Sequence, residues 1–246
     1  MPLRRLLPLA LLVLAAGHAD AQISVNRSVI EFSDDARVQD IEVLNGGADK
    51  IYLDLAVAEI LEPEREEPTR IEFDDPRAAP VLVSPRQLLL APGTRKRVRV
   101  ILREGAETED RVFRLRVRPY TGSAKLQATG GGDKRSSAVR VLVGYDLLLF
   151  ARPDDARPDL RVTRDERAIE FRNAGNTNVL LRRIVQCEAG VDPDDETAGD
   201  ACVELQPNRL YAGETYRVEL PKKGPASRFP VRVYQAVGLE NSRATY

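Results

Sequence analysis

Wherever this chain is regular, its apolar residues recur at every second position. Ile51, Leu53, Leu55 and Val57 are separated by Tyr52, Asp54 and Ala56; Val98 and Val100 flank Arg99; Phe113, Leu115 and Val117 are separated by Arg114 and Arg116. Successive side chains of a strand point to opposite faces, so period two marks half-buried strands. Beyond the first 21 residues no segment sustains the i, i+3, i+4, i+7 spacing of an amphipathic helix. Asn45-Gly46-Gly47, Pro92-Gly93, Gly130-Gly131-Gly132 and Ala212-Gly213 supply turns between the strands. Short strands punctuated this way predict antiparallel β-sandwiches. The stretch from Arg152 to Pro158 holds Pro153, Asp154, Asp155 and Arg157 and reads as a linker. It divides the chain into domains at 22–151 and 152–246, each of ordinary size for one sandwich.

The N-terminus carries a different signal. Arg4 and Arg5 precede an apolar run from Leu6 to Ala16, followed by Ala19-Asp20-Ala21, the small-x-small pattern of a secretory cleavage site. Residues 1–21 are therefore expected to be an export signal cleaved near Ala21. The run is too short to span a bilayer, and no later stretch is long and apolar enough for membrane insertion. Cleavage removes His18 and Met1, the only His and Met, from a chain that has no Trp. Without histidine the mature protein cannot run Ser-His-Asp or Cys-His catalysis, nor hold a His-ligated metal. The charges nearly cancel, at 37 basic against 38 acidic residues, which argues against nucleic acid as a partner.

Cys187 and Cys202 form an even pair in an exported chain, and a structural disulfide is the simplest reading. Between them lie Asp192, Asp194, Asp195, Glu196 and Asp200, without the alternating ligand order of a calcium loop, so no metal is expected. The acids from Glu62 to Asp75 sit among Pro63, Pro68 and Pro76 with no aromatic cluster to bind sugar, and are read as a solvated loop. Arg95 to Arg103 alternates with valines and is read as the wet face of a sheet at a protected edge.

The segment Val83-Ser84-Pro85-Arg86-Gln87-Leu88-Leu89-Leu90-Ala91-Pro92-Gly93, followed by Arg97-Val98-Arg99-Val100, resembles the pattern of the PapD-like periplasmic chaperones of chaperone–usher pili. Ile23 to Phe32 looks like their first strand, Val38 to Asn45 their second, Val112 to Pro119 their sixth, and Val139 to Pro153 their seventh with the interdomain hinge. Gly144-Tyr145 before Leu149-Phe150-Ala151 looks closer to the archaic branch. In the second half the resemblance rests on Asn173 near Thr177 and on Leu210 to Gly213. The resemblance implies an all-β protein of two immunoglobulin-like β-sandwich domains in a boomerang-like arrangement, located in the periplasm. It further implies a partner pilus or fimbrial subunit and an outer-membrane usher, with no cofactor and no catalysis.

The implied mechanism is donor-strand complementation, a form of strand addition to a subunit whose own last strand is missing. Val139, Val141 and Val143 fall where the donor residues belong; the competing reading turns them into this protein's own core, since alternation does not say which face is which. Residues 120–136 become the loop leading into that strand. Better-known members bind the subunit's C-terminal carboxylate with a basic pair, but here the seventh-strand position matches Leu148 and the first-strand position Ser28. Arg27, one residue away, is the candidate cleft anchor. Arg152 matches the hinge arginine that pairs with acids of the second domain, for which Glu214 and Glu240 are the candidates. An exposed apolar edge would encourage self-association of the free protein. The alternative function is an immunoglobulin-like structural or adhesive envelope protein without chaperone activity; a hydrolase using carboxylates alone is a more distant rival.

Overall fold

The computed structural model describes residues 23–120, 142–238 and 240–246. Val139, Val141, residues 121–136 of the expected loop and the export signal lie outside the described residues. Ten strands make the first half: β1 (Ile23–Val25), β2 (Val29–Phe32), β3 (Val38–Asn45), β4 (Ile51–Leu61), β5 (Thr69–Glu72), β6 (Val81–Ser84), β7 (Gln87–Leu90), β8 (Arg95–Leu102), β9 (Arg111–Tyr120) and β10 (Tyr145–Ala151). Eight make the second: β11 (Leu160–Arg164), β12 (Ala168–Asn173), β13 (Val179–Cys187), β14 (Cys202–Leu205), β15 (Asn208–Leu210), β16 (Thr215–Glu219), β17 (Val231–Val237) and β18 (Glu240–Thr245). The described residues contain no α-helix, as the periodicity predicts.

Sheet order is β1-β3-β8-β6 against β2-β10-β9-β4-β5 with β7 on β4, then β11-β12-β16 against β14-β13-β17-β18 with β15 on β13. Each pair of sheets closes on its own core. Leu53, Leu55, Val98, Val100, Phe113, Leu115 and Val117 are all fully buried in the first, and Ile169, Phe171, Val179, Leu181, Val231 and Val233 fill the second. Each such side chain contributes about 1.5–3 kcal/mol by leaving water. The intervening Arg114, Arg116 and Arg118 fall on the opposite face, where Arg116 meets Glu72 and Arg118 meets Asp54.

The two sandwiches share one corner device. Asn45 is completely buried; its Nδ2 donates to the carbonyls of Asp49 and Leu90 at 2.8 and 3.1 Å, and its Oδ1 accepts the Gly47 amide at 3.0 Å. Asn173 repeats the pattern on Thr177 and Leu210 at 2.8 and 3.1 Å, with the Gly175 amide at 3.1 Å. In both, the backbone closes on a glycine with left-handed φ: Gly93 (67°) donates to Asn45 O, and Gly213 (78°) to Asn173 O. A buried asparagine that meets its donor and acceptor capacity in this way ties three chain segments together.

Three expectations change. Ile23 to Phe32 is two strands, because Asn26-Arg27-Ser28 carries the chain from one sheet to the other. Strand β8 is not an edge: it pairs with β3 on one side and β6 on the other, while Arg95 and Arg99 meet Glu42 and Asp40 of β3 on the wet face. The acidic stretch from Glu62 to Asp75 contains a strand, β5, which extends the sheet beyond β4.

Candidate functional site

Strand β10 is the one to which the sequence assigns the work, and its run Leu147-Leu148-Leu149-Phe150-Ala151 does not alternate. Leu147 and Leu149 point into the first core, whereas Leu148 and Phe150 point the other way, into a cluster with Val29, Ile60, Val112 and Tyr211. A strand covered on both faces reads as a continuous apolar run. Tyr211 belongs to the second sandwich and its ring lies 6.3 Å from that of Phe150, so this cluster joins the two halves.

Along β10 the two edges differ. β9 pairs with the whole strand, but β2 runs parallel beside only Leu148 to Ala151, so among the described residues Tyr145 to Leu147 have a neighbour on one side only. Immediately upstream, Gly144 passes so close to β9 that a Cβ there would lie 2.9 Å from the Val117 carbonyl oxygen. Glycine is what permits that approach. Val143 precedes it and is 50% exposed, outside this protein's own core. The Tyr145 hydroxyl donates to Ile23 O at 2.9 Å and fixes the start of the strand.

Beside Leu148 is a cleft of about 310 Å³ lined by Ile60, Val112 and Tyr211 on its apolar side and by Arg70, Arg114 and Asp146 on its polar side. Arg114 is the cross-strand partner of Leu148 and donates to Asp146 O at 3.4 Å; Arg70 donates to Asp146 Oδ2 at 3.3 Å and to Glu72 Oε1 at 3.0 Å. Leu148 itself donates its amide to Ser28 O at 2.9 Å, so the two positions matched to the family's basic pair are neighbours, and neither is basic. Arg27 is exposed and donates to Gln39 Oε1 at 3.3 Å on β3. Burial raises the pKa of both the Tyr211 phenol and the Glu214 carboxyl above its ordinary value, disfavouring the charged forms.

Arg152 closes β10, but its carboxylate partner is neither Glu214 nor Glu240. It is Glu31 of β2, whose Oε2 accepts from Nη2 at 3.0 Å and Nε at 3.2 Å, while Nη1 reaches Thr177 of the second sandwich. The reason is register: parallel pairing sets Glu31 opposite Phe150, two residues from Arg152. Glu214 instead accepts the Tyr211 amide at 2.9 Å.

The junction has further members that the sequence analysis did not identify. Asp110, in the turn before β9, accepts from the Thr177 hydroxyl at 2.9 Å and the Asn178 amide at 2.8 Å. Arg209 bonds Asn178 and lays its guanidinium 4.7 Å from the centre of the Phe150 ring. No spacing in the sequence brings residues 31, 110, 152, 178 and 209 together; only the folded topology does. Cys187 and Cys202 are cross-strand partners on β13 and β14 and form the expected disulfide, far from β10 in the fold order. No cluster of ligating residues able to hold a metal occurs among the described residues.

No protein-family model and no curated protein matches the chain. Solved structures do match, across both sandwiches. A chain of the complex between the Salmonella enterica SafA pilin and the SafB chaperone aligns with a TM-score of 0.60 and 12% identity, over 92% of this chain and 96% of that one. The Pseudomonas aeruginosa CupB2 chaperone gives 0.56 and 11%, over 91% and 98%. A chain of the CsuC–CsuE chaperone–tip adhesion subunit complex, from the archaic chaperone-usher Csu pili of Acinetobacter baumannii, gives 0.54 and 11%, over 92% and 98%. At such identities the likeness is one of fold, and it is the fold of fimbrial chaperones.

Proposed function

We propose that this chain is a periplasmic chaperone of a fimbrial subunit, which completes the subunit's fold by lending it a strand and hands it to an outer-membrane usher. The observation that carries the reading is the start of β10, where among the described residues the strand has one unpaired edge and is preceded by a half-exposed valine. An open edge supplies main-chain donors and acceptors, and valines at 139, 141 and 143 supply side chains for successive pockets. Burying three valines contributes about 1.5 kcal/mol each or more, which with the ladder is enough to hold a subunit. A subunit's terminal carboxylate entering the cleft would meet Arg114 and Arg70, the guanidiniums of its lining. In this reading residues 22–151 lend the strand, residues 152–246 form the second wall of the cleft, and the interface of Arg152, Asp110 and Arg209 fixes the angle between them. The work is binding, with no bond made or broken.

The test is co-expression with a fimbrial subunit of the same operon. Val141→Asp and Val143→Asp should each abolish co-purification of the subunit while leaving the melting transition of the free chaperone unchanged. Capture that survives both substitutions would refute the donor assignment and return the chain to the class of immunoglobulin-like envelope proteins.

A further inference from the structure

The outer face of the second sandwich carries a groove of about 610 Å³ across β13, β17 and β18, lined by Arg182, Arg183, Tyr234, Gln235, Ser242 and Arg243, with Asn241 at its edge. Arg183 and Arg243 lie on the Tyr234 ring at 5.5 and 5.9 Å from its centre. Arg183 has each of its three nitrogens engaged: it binds Glu204 Oε1 at 2.8 Å, Asp194 Oδ1 at 2.6 Å and Pro193 O at 2.9 Å. Those two carboxylates are thereby committed, and Asp194 also accepts from the Tyr234 hydroxyl at 3.0 Å.

Arg243 is different. Among the described residues its side chain makes no hydrogen bond or ion pair; it lies on the Tyr234 ring and within the field of the Asp194 carboxylate. Arg182, in the bulge of β13, donates once, to Asn241 Oδ1 at 2.8 Å. A guanidinium has five N–H donors, so two cations that spend few of their donors among the described residues share one groove. The floor holds an unmet acceptor as well: Gln235 Nε2 donates to Ser242 at 3.0 Å, while its Oε1 is buried without a partner among the described residues.

The groove also lies along a sheet edge. Among the described residues β18 ends the order β14-β13-β17-β18, and Val231 and Tyr246 exchange both main-chain bonds, at 2.8 and 2.9 Å. Antiparallel pairs alternate between bonded and non-bonded, which turns the peptide groups of Arg243 and Thr245 outward. We infer that this face is a second docking site, which takes an acidic peptide segment as an added strand on β18 and seats its carboxylate on Arg243 and Arg182. A peptide meets every feature together: carboxylates for the two guanidiniums, N–H donors for an acceptor, and a ladder for the edge. This inference does not rest on the donor-strand reading.

The test titrates the intact protein with a fluorescein-labelled hexapeptide of alternating Glu and Val, followed by anisotropy, with the Gln-for-Glu peptide, inorganic phosphate and phosphatidylglycerol vesicles as separate arms. The Glu peptide should bind, the Gln peptide should bind at least about tenfold more weakly, and Arg243→Gln and Arg182→Gln should each cost about tenfold, as the loss of a charge-assisted contact implies. Wild-type binding should weaken steeply with salt, which probes the same contact without any substitution. Equal binding of the two peptides, insensitivity to both substitutions and to salt, binding of phosphate or vesicles alone, or no binding in any arm would overturn the inference.

Discussion

Replacing Arg152 with alanine should loosen the junction between the sandwiches by an amount that its burial sets. Its side chain is 11% exposed and that of its partner Glu31 is 26% exposed, with Nη2 to Oε2 at 3.0 Å. Removing one partner of a fully buried pair costs about 3–5 kcal/mol, because a charge is stranded without compensation. A fully exposed pair is worth under about 1 kcal/mol. Glu31 lies between these limits, partly wetted, so R152A should cost about 2 kcal/mol. R152K should cost less but not nothing, since an ammonium keeps the charge without the fork that spans Glu31 and Thr177. The assay is a double-mutant cycle with Glu31→Ala, read by urea denaturation, together with small-angle scattering of the native proteins. We expect a coupling energy of about 1–2 kcal/mol and a broader distribution of interdomain distances in R152A. A coupling under about 0.3 kcal/mol with unchanged scattering would show that the pair does not hold the junction.

Three more outcomes are expected. Cys187→Ser with Cys202→Ser should cost about 3 kcal/mol, the chain-entropy value for the loop they close, seen as a lower denaturation midpoint of the second sandwich. N45A and N173A should each cost about 2–3 kcal/mol by leaving two carbonyls and an amide unpaired; in a urea series N45D and N173D should be worse, since a carboxylate would face the same two carbonyls. Burial raises the Glu214 carboxyl above its ordinary value despite the bond from Tyr211, so the folded state holds that proton more tightly than the unfolded chain. Stability from this group therefore falls as pH rises from the ordinary glutamate value through the raised folded one. E214Q should melt above wild type near neutrality, with the gap closing below about pH 4, where the carboxyl is protonated in both states.

Period two was enough to find β4, β8 and β9, because along each of them buried side chains alternate with wetter ones. The same rule fails at β10, and the failure is informative. Leu147 to Ala151 shows no alternation since both its faces are covered, one by the first core and the other by Tyr211 of the second sandwich. The partner of Arg152 was beyond the sequence for a related reason. Which acid it meets depends on the parallel register of β2 with β10, and a shift of one residue would turn Glu31 to the other face.

The twin corners at Asn45 and Asn173 were partly legible, since each asparagine stands two residues before a glycine and is answered by a leucine-to-glycine turn further on. What spacing did not reveal is that both side chains are buried and make the same three bonds. Leu148 belongs to this same logic. Its neighbours on the cleft face are Val29, Ile60, Val112, Phe150 and Tyr211, and an ammonium placed among them would lose hydration while the cleft carboxylate, Asp146, is already bound by Arg70. An apolar residue at 148 is thus what this cluster requires. The cleft's positive charge is carried one strand over, on Arg114, the cross-strand partner of Leu148, where the guanidinium lines the polar side of the cleft while the apolar contact between the sandwiches stays intact.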